Sequence, residues 1–483
     1  MFTLAEKAVD AAYRAKAEFA DIRIIEERRQ TLSVKNGEIS SLNDISTLGF
    51  GVRVLLGGAW GFASSSVLNA RSVRFCAEKA IEIARAGATI KGRPARMAKE
   101  PAYRDFWQTP FLKDPFSVPV EKKLEMLFRT NAILRGNPKI KSAVCGLNFI
   151  REHQWHMTTD GSKIEQVLLS SGGWSSALAI AGGEVQVRSY PCTHGGQTLA
   201  GGYELIDALD MPANAESTRE EAVALLTAPE CPSGRKDLII GQNQLALQIH
   251  ESVGHATELD RVLGYEESYA GSSFATTEKL GKFRYASGLV NLVADATLPG
   301  GLATAGYDDD AVKAQRWHIV KDGVLCGYMT NREFAGAAGA VRSLGSCRAD
   351  GFSNIPITRI CNLSLMPGKT PYEDLIASTK DGIIMENNKS WSIDQKRLNF
   401  QFGCEAGWLI KNGKKTHLVK NPTYQGITPA FWNSCDAIAD ENSWHLYGVV
   451  NCGKGQPSQS AMMCHASSPA RFKNVKIGVR TRR

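Results

Sequence analysis

No stretch of this 483-residue chain is apolar over the ~20 residues a helix needs to cross a bilayer; runs such as SALAIAGG near residue 180 stop well short. No two of its eleven cysteines are spaced CxxC, and eleven is odd, so a disulfide framework is not expected and most are read as small buried hydrophobes. The N-terminus lacks the basic-then-apolar order of a secretion signal, mixing acids and bases from residue 6 onward, which reads as a cytoplasmic protein. Charge of one sign is nowhere concentrated, with 57 Lys and Arg against 49 Asp and Glu and a formal net of +8. The exception is the C-terminal RFKNVKIGVRTRR, which reads as a solvated tail and not as a nucleic-acid patch. Neither a membrane nor a nucleic acid is therefore expected as a partner.

What is present, 43% hydrophobic and 22% charged residues, suits a soluble globular chain with sizeable cores. The length predicts two large domains, 1–231 and 232–483, divided at the linker PECPSGR. In the first, a helix over residues 3–18 precedes β-rich runs punctuated by the turn words KNGE and LGGA. Val67, Phe75, Ala80, Ile81, Ile83 and Ala84 recur at helical spacing within 65–88. Five prolines between 92 and 119 predict an extended segment with no regular element. A helix at VEKKLEMLFRTNAIL, a hairpin turning on Asp160-Gly161 and a helix at AESTREEAVALLTA complete the half. Beyond the linker come a strand, DLIIG, one helix over 243–263, and short β runs joined by KDG and KNG turns. The fold class is α+β: an N-terminal α/β domain with antiparallel strands and covering helices, and a C-terminal β-rich antiparallel domain.

The stretch HESVGH, residues 250–255, sits inside that helix. It differs from the zinc-protease word HExxH, whose histidines four apart share a helix face, by one extra residue. At ~100° per residue, Leu245, Ile249, Val253, Ala256, Leu259 and Leu263 form one apolar face, while His250 and His255 lie about 140° apart. A straight helix cannot bring them to one metal. A π-type insertion, or a break at Gly254, would return them to within roughly 40° of each other, at the cost of rotating the downstream apolar stripe by about 100°. Zinc would further need a third ligand. Glu258 and Asp260 are near in sequence, Cys452, Cys464, His465 and His445 are distant, and spacing does not choose among them.

At these residues the chain resembles the TldD/PmbA family of zinc metallopeptidases. HESVGHATELD matches the family word HEAxGHxxExD, with Ser252 where alanine is commoner. AGYDDDAVKAQRWHIVKDGVLCGYMTNRE, ITRICNLSLMPG, NCGKGQPSQSAMMCHASSPARFKNVKIGV and, in the first half, GFGVRVLLGGAWGFASSS resemble further family segments in the family's order. The resemblance implies zinc ligands at His250, His255 and Cys452 and a general base at Glu251. It implies dimers as well, either homodimers or pairs with a PmbA-type partner that lacks the motif.

The function this implies is zinc-dependent hydrolysis of unfolded or flexible peptides. Two imidazoles and a thiolate make zinc a weaker Lewis acid than three imidazoles do, which suits slow processing. His465, Arg359 and Tyr307 lie in the family-like segments and are the candidates for substrate or transition-state contacts. Asp308, Asp309 and Asp310 read as a turn cap before a cleft lining. The alternative is a non-catalytic regulatory subunit or a nucleic-acid-associated modulator with a structural zinc site, which predicts salt-sensitive DNA binding indifferent to Glu251.

Overall fold

The computed structural model describes residues 1–193 and 195–478. Residues 19–200 supply one eight-stranded sheet, β1 (Phe19–Lys35), β2 (Glu38–Leu56), β3 (Ala59–Ser65), β4 (Arg104–Gln108), β5 (Ile140–Thr158), β6 (Lys163–Ala181), β7 (Glu184–Tyr190) and β8 (Gln197–Ala200). Its order is β3-β2-β1-β5-β6-β4, with β7 and β8 also on β6, and every pairing is antiparallel except β4 with β6. The alternation of inward apolar residues along β1 and β2 (Ile22, Ile24, Val52, Val54) buries one face under helices α1 (Phe2–Arg14) and α2 (Ala70–Ala88). Elsewhere α3 (Val120–Leu134), α4 (Glu204–Leu209) and α5 (Met211–Leu225) cover the sheet through Leu127, Ile206 and Ala215.

Several expectations change here. The buried face of α2 is Val73, Cys76, Ala77, Ala80, Ile81 and Ala84, whereas Phe75 and Ile83 are exposed and Val67 precedes the helix. Asn69 starts it, its side chain accepting from the Arg71 and Ser72 amides. The proline-rich segment is not wholly irregular, because Arg104–Gln108 pairs with β6 as a parallel edge strand. Edge position is what proline-flanked chain tolerates in a sheet.

From Gly234 on, seven strands form a second sheet in which Asp381–Ile393, β9 (Gly234–Ile240), Ala470–Ile477, Thr423–Ile427 and Asn399–Lys411 pair in sequence. Asp381–Ile393 also pairs with Asn399–Lys411, so those five strands close into a ring. Leu238, Ile240, Met385, Phe402, Tyr424 and Phe472 belong to the main core of this half. Part of the basic C-terminal run is thus a strand and not a tail: Phe472, Val475 and Ile477 point inward while Lys473 and Lys476 face water. Residues 479–483 of that run lie outside the described residues.

The aspartate triplet joins the two halves. Asp308 caps its turn as expected, accepting from the amides of Asp310, Val312 and Cys347. Asp310 pairs with Arg53 of β2 at 2.8 Å, and Arg53 also pairs with buried Asp21. Burial alone would raise the Asp21 carboxyl, but Arg53 and His156 outweigh it and hold it well below the usual carboxylate range. Among the described residues, no helix is long and apolar enough to cross a membrane.

Candidate metal centre

The helix α6 (Gln242–Ile249) opens out of β9 through Gly241 and stops at the histidine. Residues His250–Gly254 form a π-turn, in which the His255 amide bonds the His250 carbonyl five residues back, and a 3-10 turn, His255–Thr257, follows. The single helix expected over 243–263 therefore does not form. At Glu258 the chain becomes extended, and Thr257 and Leu259 exchange backbone hydrogen bonds with Met329. Ala256 and Leu259 remain buried in the main core despite the rotation, because the break after Thr257 lets them repack. Gly254 packs closely under Ile360, so that a Cβ there would lie 2.8 Å from the Ile360 Cδ1 methyl and would push that side chain aside.

Ser252 helps to set the turn. Its hydroxyl bonds back to the Gln248 carbonyl four residues earlier at 2.5 Å, a contact that bends helices, and it accepts from Trp432 Nε1 at 2.9 Å. Its own carbonyl accepts from the Tyr285 hydroxyl. Ser252→Ala is expected to leave the Trp432 indole N–H buried without an acceptor and to cost about 1–3 kcal/mol in urea unfolding, with metal content unchanged.

The π-turn brings the two imidazoles face to edge, ring centroids 4.8 Å apart. Strand His445–Lys454 adds Cys452 from the far end of the chain, with Sγ 3.4 Å from His255 Nε2. One donor atom from each of His250, His255 and Cys452 lies within 4.8 Å of the others, and all three residues are buried. Tetrahedral zinc with bonds of 2.0–2.3 Å separates its ligands by about 3.3–3.6 Å. The cluster fits after a contraction of about 1 Å.

Hydrogen bonds behind each candidate ligand ring fix which ring nitrogen is free. His465 Nδ1 lies 2.7 Å from the Leu363 carbonyl, which only accepts, so Nδ1 carries the proton and Nε2 is the acceptor. His250 Nδ1, 2.9 Å from that Nε2, must then donate, leaving His250 Nε2 bare for a metal. His255 Nδ1 is 2.8 Å from the Glu258 carboxylate, which leaves its Nε2 bare toward Cys452. Lys454, two residues beyond Cys452, ties Glu258 and Asp260 together at 3.3 and 2.7 Å.

Burial pushes the imidazoles toward the neutral form: His250 is lowered to about 4, and His255 and His465 lie well below 6.5. Burial pushes the Cys452 thiol up, and the Arg359 guanidinium, whose Nη2 lies 3.1 Å from Sγ, works against burial by favouring the thiolate. Neutral imidazoles and an easily ionised thiol are the forms that bind zinc. The metal-free chain carries the corresponding penalty in acid. Above pH ~6.5 His250 is neutral both folded and unfolded; as pH falls toward 4 the unfolded chain takes up a proton that the buried ring refuses. Between the ordinary imidazole value of 6.5 and about 4, at 1.36 kcal/mol for each pH unit, this loss is about 3 kcal/mol. Urea unfolding at pH 7 and 4.5 is expected to show it, and His250→Gln to reduce it.

The remaining sequence candidates separate. Glu251 lines a cavity of about 270 Å³ together with the three ligand candidates. His465 and Arg359 stand behind His250 and Cys452 and do not line that cavity. Tyr307 is elsewhere, its hydroxyl on Asp105 at 2.7 Å beneath the first sheet. Of the alternative ligands, Glu258 and Asp260 are engaged as described, Cys464 accepts from the Leu302 amide, and His445 is exposed.

Two features had no sequence signal. Arg397 forms an ion pair with Glu251 from the turn between Asp381–Ile393 and Asn399–Lys411. Cys192 and Thr193, from the β7–β8 connection of the first half, reach the same cavity.

Residues 233–478 match the PmbA/TldA metallopeptidase C-terminal domain, and residues 20–84 match PmbA/TldA metallopeptidase domain 1. A metalloprotease of Methanocaldococcus jannaschii is 28% identical over 438 residues, covering 90% of this chain and 92% of that one. A metalloprotease TldD homolog of Haemophilus influenzae is 28% identical over 443 residues, covering 90% and 88%. In fold, a proposed modulator of a DNA gyrase from Thermotoga maritima superposes with a TM-score of 0.76 at 17% identity, covering 98% of this chain and 99% of that one. The matched C-terminal domain alone spans more than half of the chain and holds all three candidate ligands, and the protein belongs to the TldD/PmbA family of metallopeptidases.

Proposed function

We propose that this chain is a zinc-dependent peptidase that hydrolyses unfolded or flexible peptides, with His250, His255 and Cys452 as ligands and Glu251 as general base. The observation that carries the reading is the convergence of two imidazoles with free Nε2 atoms and one thiol on the wall of a cavity that also holds Glu251. Bound zinc would supply the Lewis acidity that makes water nucleophilic near neutral pH and polarises a carbonyl.

Glu251 takes the proton of the attacking water and returns it to the departing amine. Glu258 and His465 keep the ligand rings in the tautomer that presents Nε2, and Arg359 stabilises the Cys452 thiolate. Ala246, Leu247, Tyr447 and Val449 make part of the cavity wall apolar, while Asn451 supplies an amide for a peptide backbone. A cavity of this size takes a short extended segment and excludes a folded domain. The chain is proposed to act in the cytoplasm as a dimer, with itself or with a PmbA-type partner.

Metal analysis of the purified chain is expected to give close to one zinc per chain, and an unstructured peptide is expected to be cleaved. Stoichiometric zinc without cleavage would favour a structural site.

A further inference from the structure

Hydrolysis of an amide develops negative charge on the carbonyl oxygen, and a preorganised donor aimed at that oxygen is worth a large share of the rate. The sequence candidates for this task are committed elsewhere. His465 is held between His250 and the Leu363 carbonyl, Arg359 between Cys452 and the Gln459 carbonyl, and Tyr307 on Asp105. Arg397 is the one Lys or Arg among the described residues that line the metal cavity.

Its placement is built. Arg397 adopts a left-handed φ of 63°, which an L-residue keeps only where its surroundings over-determine it. Its amide bonds the Asp394 carbonyl at 2.9 Å, its carbonyl accepts from Thr428 Oγ1 at 2.8 Å, and the Asp394 carboxylate accepts from the Leu398 and Asn399 amides. The side chain, 16% exposed, turns inward to Glu251, where most hairpin arginines reach into water. Only one guanidinium nitrogen is used by that ion pair, and Nε is buried with no hydrogen-bond partner. An orphaned charged donor beside the general base is costly for the free protein and useful when an oxyanion arrives.

The geometry points to Arg397 as a catalytic residue that donates to the oxyanion of the scissile carbonyl, an assignment that rests on the peptidase reading above. Water adds to the carbonyl carbon while its proton passes to Glu251, and the carbonyl π pair moves onto oxygen, where Arg397 donates. Collapse re-forms the carbonyl and breaks the C–N bond, and Glu251 returns the proton to the leaving nitrogen. The ion pair sets the guanidinium and the base at a fixed separation on one reaction centre.

The test compares zinc-loaded wild type, Arg397→Lys and Arg397→Ala on one unstructured peptide, with zinc content measured for each. The Ala variant is expected to keep its zinc, to hold KM within about threefold, and to lose about 10²–10³-fold in kcat. Added guanidinium ion, below denaturing concentration, is expected to restore part of that kcat, and Lys, which lacks the planar fork, to lie between. A purely structural role does not give rescue by a small cation at constant zinc content. Cleavage by wild type with the Ala variant within about threefold in kcat, or a loss that guanidinium does not relieve, overturns the assignment of Arg397. A wild type that holds zinc and cleaves nothing overturns the peptidase reading itself, and this assignment with it.

Discussion

Glu251→Gln is expected to keep close to one zinc per chain and to lower kcat for peptide hydrolysis by about 10²–10⁴-fold, the range for removing a general base. Glutamine matches the side chain in size and keeps an oxygen for the Arg397 contact, so the cavity should survive while the proton acceptor is lost. Glu251 is no ligand candidate: the three-residue cluster of His250, His255 and Cys452 does not include it. Metal content and activity therefore separate in this variant. Cleavage within about tenfold of wild type would remove Glu251 from the mechanism.

Cys452→Ala has the complementary signature, loss of metal first and activity as a consequence. Removing a third ligand is expected to weaken zinc binding by more than ~100-fold, since even partners behind a ligand are worth ~10–100-fold. Buried Arg359 is then left facing the site without the sulfur it contacts at 3.1 Å, so a stability loss should accompany the metal loss. Cys464→Ala is the control, because that thiol accepts from the Leu302 amide at 3.3 Å and takes no part in the ligand cluster. Zinc retained at full occupancy in Cys452→Ala and lost in Cys464→Ala would reassign the third ligand.

The histidine pair was legible in the sequence because helix geometry is quantitative. Two rings about 140° apart on a straight helix required an irregular turn, and the π-turn at His250–Gly254 is that turn. Its continuation was not legible: the backbone bonds to Met329 that end the helix after Thr257 come from a segment some 70 positions later, and periodicity carries no trace of them. Cys452 was one of several distant candidates and was selected only through family resemblance, since nothing in its spacing separates it from Cys464. Arg397 went unseen because one arginine in a hairpin turn looks like a surface charge. What marks it is a left-handed backbone and a buried Nε, both properties of the folded chain.

The fold divides in the same way. Local grammar gave the helix Val120–Leu134 and the antiparallel pair β5–β6. The parallel edge strand Arg104–Gln108 was missed because its partner fixes it, not its own residues. In the C-terminal strand the charges of Lys473 and Lys476 masked an inward Phe472, Val475 and Ile477, and the register irregularity between Phe472 and Val475 broke the two-residue alternation.

The most direct test of the account is metal-dependent hydrolysis by the intact chain. Zinc-loaded protein is incubated with an unstructured peptide, stripped with a chelator, and reloaded with zinc at pH 7, where His250 is neutral. The account predicts cleavage that disappears with the metal and returns with it at about one zinc per chain. Cleavage that persists after the zinc is gone, or none at full zinc occupancy, would contradict it.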